Sequence, residues 1–540
     1  MSGSVSPSVA ESADIGAAFL KTAKRLGAAP ALIQRGRTTT FAELAEQVER
    51  LAHGFARAGA GRAARAAVLV PPSRDFFAAA FALFRAGAVP VLIDPGIGLK
   101  SLKRCLADAA PDVFLGSPKA HVGRVLGRWA PTAAMKIVCG SPTFGLPTLS
   151  AFEALGAGRA AALPVQAATD RAAILFTSGG TGAPKGAVYE HGMFSAQVEL
   201  LRGMFGIQEG DVSLATFPLF GLFDLALGAT VVIPEMDFTR PGSVDPRAII
   251  EPVQKYGVKQ LFGSPALLDR VGRFGARHDV ALPSLTRVLS AGAPVPAKVL
   301  ERFARMLEPG VEIYTPYGAT EALPVAVASS SEILGETAAK TAAGAGVCVG
   351  RPVKGIETAV IRVEDGPIKT WSEDLRLPAG AIGEIAVKGP VVTTHYFNRM
   401  DETALAKIGD EKGFWHRMGD LGYFDDRGRL WFCGRKAHRV RTADGEMATI
   451  PVEGIFNAHA SVKRTALVGV RGEPVLCVEL EPGTEIGDLT RELLALGSRH
   501  PQTRSIRTIL YHPSFPVDIR HNAKIFRDKL AVWAAGRIRP

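Results

Sequence analysis

The chain has 540 residues, more than one hydrophobic core usually organises, so we expect at least two domains. A hydrophobic content of 47% and a charged content of 21% exclude a disordered protein. The net charge of +11 favours anionic ligands, but the sequence has no continuous basic tract with interleaved aromatic residues, so we expect no nucleic-acid partner.

The cysteines and the apolar stretches indicate a cytoplasmic protein. Five scattered cysteines without a C-x-x-C pair predict free thiols in a reducing compartment rather than disulfides or a metal site. No basic-then-apolar signal segment opens the chain, and residues 1–14 are expected to form a disordered tail. The long apolar stretch 214–233 contains Pro218 and Asp224, so we expect a buried helix and strand there and no transmembrane segment.

The first part of the chain alternates helix and strand patterns. Thr40 and Glu43 have the spacing of a capping box, and the helix that follows has apolar residues at spacings of three and four. Short apolar runs predict strands at 66–70, 89–93, 172–176, 230–233, 260–262, 287–289 and 312–314. This alternation is typical of layered α/β sheets with mostly parallel strands, in which ligands bind at the carboxyl ends of the strands.

The predicted secondary structure changes twice in the later part of the chain. From about residue 355 it is β-rich, with predicted strands at 357–363, 383–387 and 422–432. A smaller α/β portion follows, with paired strands at 465–470 and 475–480 and helices at 489–496 and 522–533. We place a domain boundary near residue 436, which gives an N-terminal domain of residues 15–435 and a C-terminal domain of residues 436–540.

The strongest chemical signal is the loop that follows the strand at 172–176. It reads Thr177-Ser178-Gly179-Gly180-Thr181-Gly182-Ala183-Pro184-Lys185-Gly186. Glycines let backbone N–H groups approach an anion, hydroxyl groups add donors and the lysine adds positive charge, which together predict a phosphate-binding loop. It is not a Walker A loop, because Pro184 precedes Lys185 and Gly186 follows it. The loop resembles the ATP loop of the adenylate-forming enzymes, which include acyl-CoA synthetases, luciferases and peptide-synthetase adenylation domains.

Two motifs near the middle of the chain extend this resemblance. Ser290-Ala-Gly-Ala-Pro294 resembles the family's adenine-binding turn, which implies that Gly292, Ala293 and Pro294 lie against the base. Tyr314-Thr-Pro-Tyr-Gly-Ala-Thr-Glu321 is similar to the Y-G-x-T-E motif. The resemblance implies that Tyr317 stacks on adenine next to Gly318, that Thr320 contacts phosphate, and that Glu321 holds the Mg²⁺ that accompanies ATP.

Three more residues complete the resemblance, which spans roughly residues 15–535. Asp420, in Arg417-Met-Gly-Asp-Leu-Gly-Tyr423, has the position of the family's ribose-binding carboxylate, and Arg435 that of the second ribose and phosphate contact. Lys524, in His521-Asn-Ala-Lys-Ile-Phe526, aligns with the lysine that drives adenylation. The implied fold is a large N-terminal domain of layered α/β sheets with a β-rich subdomain, followed by a small mobile α+β lid that carries Lys524.

Departures from the common pattern narrow the resemblance to one group. The lysine stands in His521-Asn-Ala-Lys524 rather than in a Ser-Gly-Lys setting, and Lys436-Ala-His-Arg439 replaces the acidic residues that commonly follow Gly-Arg. These variants resemble the β-lactone synthetases of bacterial long-chain olefin biosynthesis. That group implies conversion of a 2-alkyl-3-hydroxy fatty acid to a β-lactone through an acyl-adenylate, with release of AMP and pyrophosphate. It also implies assembly with neighbouring olefin-pathway enzymes.

The sequence identifies the residues of the acyl pocket and the catalytic base less clearly than the ATP residues. Phe217, Phe220, Phe223 and Gly263 follow predicted strands, where aromatic and small residues suit an alkyl channel. Plain core packing would explain the same residues. The candidate bases for the hydroxyl proton are His191, His438 and His521, and no motif selects among them.

Two alternatives remain open at this stage. A long-chain fatty acyl-CoA synthetase, or an acyl-AMP ligase that loads a carrier protein, would share every ATP residue. The product formed with and without a thiol acceptor distinguishes these enzymes from a β-lactone synthetase. A non-catalytic scaffold is the other alternative, but it would not require the full set of ATP residues, namely Lys185, Glu321, Asp420, Arg435 and Lys524.

Overall fold

The computed structural model describes residues 12–159, 162–176, 184–517 and 525–538. The strands of the described residues, numbered in chain order, are β1 (Pro30–Gln34), β2 (Arg37–Thr40), β3 (Arg65–Leu69), β4 (Val89–Ile93), β5 (Val113–Gly116), β6 (Met135–Val138), β7 (Arg171–Phe176), β8 (Gly186–Glu190), β9 (Val212–Ala215), β10 (Thr230–Ile233), β11 (Gln260–Phe262), β12 (Arg287–Leu289), β13 (Glu312–Ala319), β14 (Ala322–Ser329), β15 (Val347–Pro352), β16 (Glu357–Ile361), β17 (Gly383–Lys388), β18 (Lys407–Asp410), β19 (Gly413–Phe424), β20 (Leu430–Arg435), β21 (Val440–Thr442), β22 (Gly445–Met447), β23 (Val462–Val470), β24 (Glu473–Leu480) and β25 (Thr508–Tyr511).

Helices connect and cover these strands. In chain order they are α1 (Ile15–Leu26), α2 (Phe41–Arg57), α3 (Arg74–Arg85), α4 (Leu99–Ala109), α5 (Pro118–Gly127), α6 (Leu149–Leu155), α7 (His191–Phe205), α8 (Pro218–Leu227), α9 (Arg247–Tyr256), α10 (Pro265–His278), α11 (Ala297–Ala304), α12 (Ser330–Glu332), α13 (Ala338–Ala342), α14 (Met400–Ala406), α15 (Thr449–Asn457), α16 (Leu489–Ser498) and α17 (Arg527–Ala535). The predicted α/β class is confirmed.

Two large sheets organise the part of the chain before residue 436. One has the strand order β6-β5-β3-β4-β7-β8, in which every neighbouring pair is parallel except β7 and β8. The other runs β16-β17-β19-β20-β15-β14-β13-β12-β11-β9-β10-β1-β2, with β18 beside β19. Its strands from β13 through β10 to β1 are parallel, whereas β13 to β20 pair antiparallel. The antiparallel portion therefore begins at β13 and β14, before the predicted change at about residue 355.

Local sequence signals account for several element boundaries. The capping box of α2 is confirmed, because Thr40 Oγ1 accepts from the Glu43 N–H at 3.2 Å while Glu43 Oε2 accepts from the Thr40 N–H at 2.8 Å. The stretch 214–233 folds as the end of β9, helix α8 from Pro218 to Leu227 with Gly228 as its C-cap, and strand β10. In the described part of the chain, no helix has the length and apolar character needed to cross a membrane.

The residues after Arg435 build their own layers. Strands β23, β24 and β25 form a three-stranded sheet, and β23 and β24 are antiparallel neighbours, as predicted. Two apolar clusters lie around this sheet, and all their buried members are at or beyond Val440. The buried members of the clusters in the preceding part all lie at or before residue 430.

Three sequence predictions are wrong in detail. The run 422–432 is not one strand, because the turn Asp425–Arg429 separates β19 from β20. Of the predicted last helix 522–533, residues 522–524 lie outside the described residues, residues 525 and 526 are not helical, and α17 begins at Arg527. The predicted tail of residues 1–14 is too long, since Ala13 donates to the Gln166 carbonyl at 2.9 Å and Asp14 caps α1; residues 1–11 lie outside the described residues.

Candidate active site

Several predicted site segments leave the large sheet at one edge. Phe262, the last residue of β11, pairs in register with Ala215 at the end of β9 and with Leu289 at the end of β12. Because these strands are parallel, the segments that begin at Phe217, Gly263 and Ser290 emerge side by side. The candidate acyl residues and the candidate adenine turn are therefore neighbours.

The adenine turn itself is open to solvent. Gly292 has a φ of +97°, which an L side chain rarely adopts, and residues 291–294 are partly or fully exposed, in contrast to the buried Ser290. The Ser290 Oγ is buried and has no hydrogen-bond partner within the described residues. At Gly318 a side chain would meet the Ala322 carbonyl oxygen at 2.5 Å, so this glycine permits the tight β13–β14 hairpin.

Thr320 and Glu321 form the two-residue turn between β13 and β14. The Tyr396 hydroxyl donates to Glu321 Oε1 at 2.7 Å, and the Tyr189 hydroxyl donates to the Thr320 carbonyl at 2.5 Å. Burial, together with the Glu321 carboxylate, raises the pKa of Tyr396 far above its usual range, so the phenol stays protonated. The hydrogen bonds from these two tyrosines hold the turn in place.

Asp420, Arg435 and Tyr317 form a second bonded group. The Arg435 guanidinium donates to Asp420 Oδ1 at 2.7 Å, and the Tyr317 hydroxyl donates to Asp420 Oδ2 at 2.7 Å. The nearby Asp420 carboxylate raises the pKa of Arg435, and burial next to the same carboxylate raises that of Tyr317 well above 10. The structure thus brings together three residues that the sequence assigned separately.

The two groups belong to one site. The pKa of Arg435 is raised first by Asp420 and further by Glu321, while that of Tyr396 is lowered slightly by Arg435, so these side chains share one electrostatic environment. Lys185 lies with its Nζ 5.1 Å from the centre of the Tyr396 ring. Lysine and arginine charges and two carboxylates therefore converge within a small region.

The candidate acyl residues form an aromatic cluster. The ring of Phe220 lies 4.4 Å from that of Phe262, 5.4 Å from Phe217 and 6.3 Å from Phe223, measured between centroids. A side chain at Gly263 would meet Leu267 at 3.0 Å and Leu268 at 3.1 Å. Phe217 and Phe220 are only partly buried, in contrast to Phe223, so the two former rings have surface left for a ligand.

Family membership follows from comparison with known proteins. Residues 19–397 match the family model described as AMP-binding enzyme. The chain belongs to the AMP-binding enzyme family. This AMP-binding enzyme is 50% identical over 512 residues to the olefin β-lactone synthetase of Xanthomonas campestris pv. campestris, covering 92% of this chain and 91% of that protein.

Two further comparisons extend this result. The olefin β-lactone synthetase of Stenotrophomonas maltophilia is 48% identical over 526 residues, which cover 95% of this AMP-binding enzyme and 94% of that protein. The solved structure of an amide bond synthetase from Marinactinospora thermotolerans matches with a TM-score of 0.78 over 95% of this chain and 99% of that chain. At 23% identity, the match to the amide bond synthetase shows only that the fold is shared.

Part of the predicted site of this AMP-binding enzyme lies outside the described residues. These positions are the adenylation lysine Lys524 and the phosphate-loop residues Thr177, Ser178, Gly179, Gly180, Thr181 and Gly182. On either side of the phosphate-loop positions, the described residues include Phe176, where β7 ends, and Lys185, which directly precedes β8. The predicted roles of these residues stay predictions.

The candidate histidine bases differ in their surroundings. His191 is fully buried against Phe84, and burial lowers its pKa, so it has no access to a substrate. His438 lies in the turn after β20, and His521 lies outside the described residues. The structure gives no support to His191 as the base.

Tyr396, Lys407 and His416 lie next to the candidate site, and the sequence did not reveal them. Lys407 donates to the Thr393 carbonyl, and burial lowers its pKa to about 7. Burial, followed by the charges of Lys407, Arg435 and Lys185, lowers the pKa of His416 well below its usual value. No motif spacing marks these residues; only the pairing of β18 with β19, which sets Lys407 opposite His416, brings two of them together.

Proposed function

We propose that this AMP-binding enzyme is an ATP-dependent β-lactone synthetase that acts on 2-alkyl-3-hydroxy fatty acids in bacterial long-chain olefin biosynthesis. The observation that carries the proposal is the 50% identity to an olefin β-lactone synthetase over 92% of the chain. We further propose a cytoplasmic location, in keeping with the free thiols of all five cysteines.

The first half-reaction is adenylation. The carboxylate oxygen of the acid attacks the α-phosphorus of ATP, the bond to the β-phosphate breaks, and pyrophosphate leaves. We assign Asp420 to the ribose hydroxyls and Arg435 and Lys185 to the phosphates, because their carboxylate and cations converge within the site. Gly292, Ala293 and Pro294 are assigned to the adenine, next to Tyr317.

Glu321 is the proposed ligand of Mg²⁺. Magnesium in such sites is held by one or two carboxylates together with substrate phosphates, and Glu321 supplies one carboxylate in the β13–β14 turn. The bond from Tyr396 occupies one lone pair of Oε1, and among the described residues Oε2 of Glu321 accepts no hydrogen bond, so it is the proposed metal-binding oxygen. Bound Mg²⁺ neutralises the phosphate charge.

The second half-reaction closes the ring. The β-hydroxyl oxygen of the substrate attacks the carbonyl carbon of the acyl-adenylate, the hydroxyl proton is released, and the bond to the AMP oxygen breaks. The nucleophile is already part of the substrate, so its effective concentration is high and no thiol acceptor is required. The aromatic cluster around Phe220 is the proposed contact for the alkyl chains.

We propose a domain boundary at residue 436, with residues 436–540 as a mobile lid. Apolar clusters made entirely of residues at or beyond Val440 support it, because a unit with its own core can move as a body. Rotation of this lid would bring Lys524 to the α-phosphate for adenylation and remove it afterwards. A role for the protein in assembly with neighbouring pathway enzymes is part of the proposal.

Product analysis tests the function. The purified protein is incubated with MgATP and a synthetic 2-alkyl-3-hydroxy fatty acid, with and without CoA, and the products are identified by proton NMR and mass spectrometry. We expect a β-lactone and one equivalent of AMP in both reactions. A thioester that forms only with CoA, without a lactone, would make the protein an acyl-CoA synthetase. A 2-alkyl acid without the 3-hydroxyl is the matched control, since it can be adenylated but cannot close the ring.

A further inference from the structure

Helices α4 and α5 carry exposed side chains on the side that faces away from the sheet. Both helices cover one face of the six-stranded sheet, since Leu102, Leu106 and Ala120 pack in the same apolar cluster and His121 lies on Phe114. We call the outward side chains of residues 99–128 the α4–α5 surface. These helices run in the same direction, because each connects parallel strands in succession.

Aliphatic side chains form a stripe on this surface. Val122, Val125 and Leu126 are 43%, 49% and 81% exposed, and their spacings of three and four place them on one side of α5. Leu99, at the start of α4, is 70% exposed. Single exposed apolar residues are common, but packing among the described residues does not cover this helical stripe of three.

The α4–α5 surface also carries exposed cations. Five cations of the α4–α5 surface are exposed, and one of them, Lys119, interacts with the Asp237 carboxylate. Within the described residues, the other four have no carboxylate within 4 Å, namely Lys100, Lys103, Arg104 and Arg128. The acids of this segment are Asp108 and Asp112, and each is already bound to an arginine elsewhere, Arg399 and Arg65 respectively. The surface therefore combines apolar side chains with uncompensated positive charge.

We propose that the α4–α5 surface docks on an anionic lipid bilayer. A group of four or more Lys and Arg residues beside an apolar helix stripe is the pattern that binds anionic lipid head groups, with aliphatic side chains entering the interface. A protein partner is less well matched, because the exposed stripe has no aromatic residue of the kind that anchors protein interfaces. Nucleic acid would likewise need stacking side chains or a groove.

Docking would bring the enzyme to an amphiphilic substrate. A 2-alkyl-3-hydroxy fatty acid partitions into bilayers, so an enzyme at the bilayer surface meets a higher local concentration of it. This consequence rests on the proposed function, whereas the docking itself rests only on the exposed side chains and their charges. The two can therefore fail separately.

Vesicle sedimentation tests the proposal. The full-length protein is mixed with phosphatidylcholine vesicles or with vesicles that also contain phosphatidylglycerol, without ATP or fatty acid. We expect binding to the anionic vesicles only, and loss of binding at high salt. Lys100→Gln with Lys103→Gln should weaken binding about 25-fold, roughly fivefold for each lysine. Val125→Gln with Leu126→Gln should weaken it by about tenfold or more.

Matched controls distinguish docking through the α4–α5 surface from a general effect of charged or apolar residues anywhere on the protein. Lys354→Gln with Lys412→Gln removes two exposed lysines elsewhere, and Val165→Gln changes a valine that is 57% exposed. These controls should bind as the unchanged protein does, and every variant should keep its ATP-dependent activity on detergent-dispersed substrate. The proposal is overturned by absent binding, by equal binding to both vesicles, or by equal losses in the controls. A thioester product in the activity assay would overturn the proposed function and leave the docking result intact.

Discussion

Arg435 and Asp420 stand directly opposite each other in the antiparallel pair β19–β20, and the guanidinium donates to Asp420 Oδ1 at 2.7 Å. The Tyr317 hydroxyl takes one acceptor position on Oδ2. Each carboxylate oxygen has two acceptor positions and therefore keeps one of them. A cis-diol needs one acceptor position on each oxygen if its two hydroxyls donate to different oxygens. The strand register fixes this carboxylate before any nucleotide binds.

Asp420→Ala is expected to weaken ATP binding by about 10- to 100-fold, because two hydrogen bonds worth roughly 1 kcal/mol each are lost and Arg435 loses its partner. Isothermal titration calorimetry with ATP measures the change. Asp426→Ala, in the exposed turn between the same strands, should bind ATP normally. Normal ATP affinity in Asp420→Ala would remove Asp420 from the ribose site.

Lys524→Ala is expected to suppress adenylation while ATP binding survives, since a lysine that bridges the carboxylate and the α-phosphate acts mainly in the transition state. ATP–pyrophosphate exchange with the acid reports adenylation, and calorimetry reports ATP binding. Lys529→Ala, on the exposed side of α17, is the control and should exchange normally. Unchanged exchange in Lys524→Ala would exclude the assigned role.

Local sequence patterns predicted most of the fold. Strands β4, β10, β11 and β12 have the predicted boundaries, because each is a short apolar run between turn signals. The prediction of one strand at 422–432 failed because the polar turn Asp425-Asp-Arg-Gly-Arg429 lies between two apolar segments. This turn is closed by the Arg429 backbone N–H and guanidinium, which both donate to the Asp425 carboxylate. Such bonds are not visible in a hydrophobic pattern.

The site was predicted less completely than the fold. Motifs gave Asp420 and Arg435, but not the bond from Tyr317 to Asp420, which joins residues 103 positions apart. Tyr396 and Lys407 carry no motif, and their positions depend on how the segment after β17 returns to the β13–β14 turn. Long-range contacts of this kind follow from the packing of the sheets and not from residue spacing.

Glu321→Gln is expected to raise the Mg²⁺ concentration for half-maximal adenylation by more than about tenfold, because a carboxylate ligand becomes a neutral amide. Tyr396→Phe keeps the carboxylate and removes only its supporting bond, so its increase should be smaller, at most about tenfold. Glu357→Gln, at an exposed position, is the control. Equal Mg²⁺ dependence in Glu321→Gln and the unchanged protein would contradict the metal assignment.

Phe220→Leu is expected to change chain-length selectivity, because Phe220 lies on Phe262 at 4.4 Å between centroids and borders the proposed alkyl channel. The ratio of kcat/KM between long and short acids should move about tenfold, while ATP affinity should stay the same. Phe144→Leu, at a side chain that is 58% exposed, is the control. An unchanged ratio would place the alkyl chains elsewhere.

Asp224 predicts a pH dependence of stability. Its carboxylate is buried, accepting from Ser213 Oγ at 2.7 Å and Gln260 Nε2 at 2.9 Å, and burial raises its pKa from 3.8 to about 6. Between about pH 4 and pH 6, the Asp224 carboxyl is therefore protonated in the folded protein and ionised in the unfolded chain. The contribution to the free energy of unfolding is fully present below about pH 4 and falls as the pH rises to about 6, by roughly 3 kcal/mol.

Asp224→Asn removes this titration and nearly keeps the shape of the side chain. Denaturant midpoints measured from pH 4 to 8 should therefore show the unchanged protein losing stability relative to Asp224→Asn up to about pH 6, with a constant difference above pH 7. Asp426→Asn, at an exposed aspartate, should show no such trend relative to the unchanged protein. A difference between Asp224→Asn and the unchanged protein that does not vary with pH would show that Asp224 keeps an ordinary pKa in the folded protein.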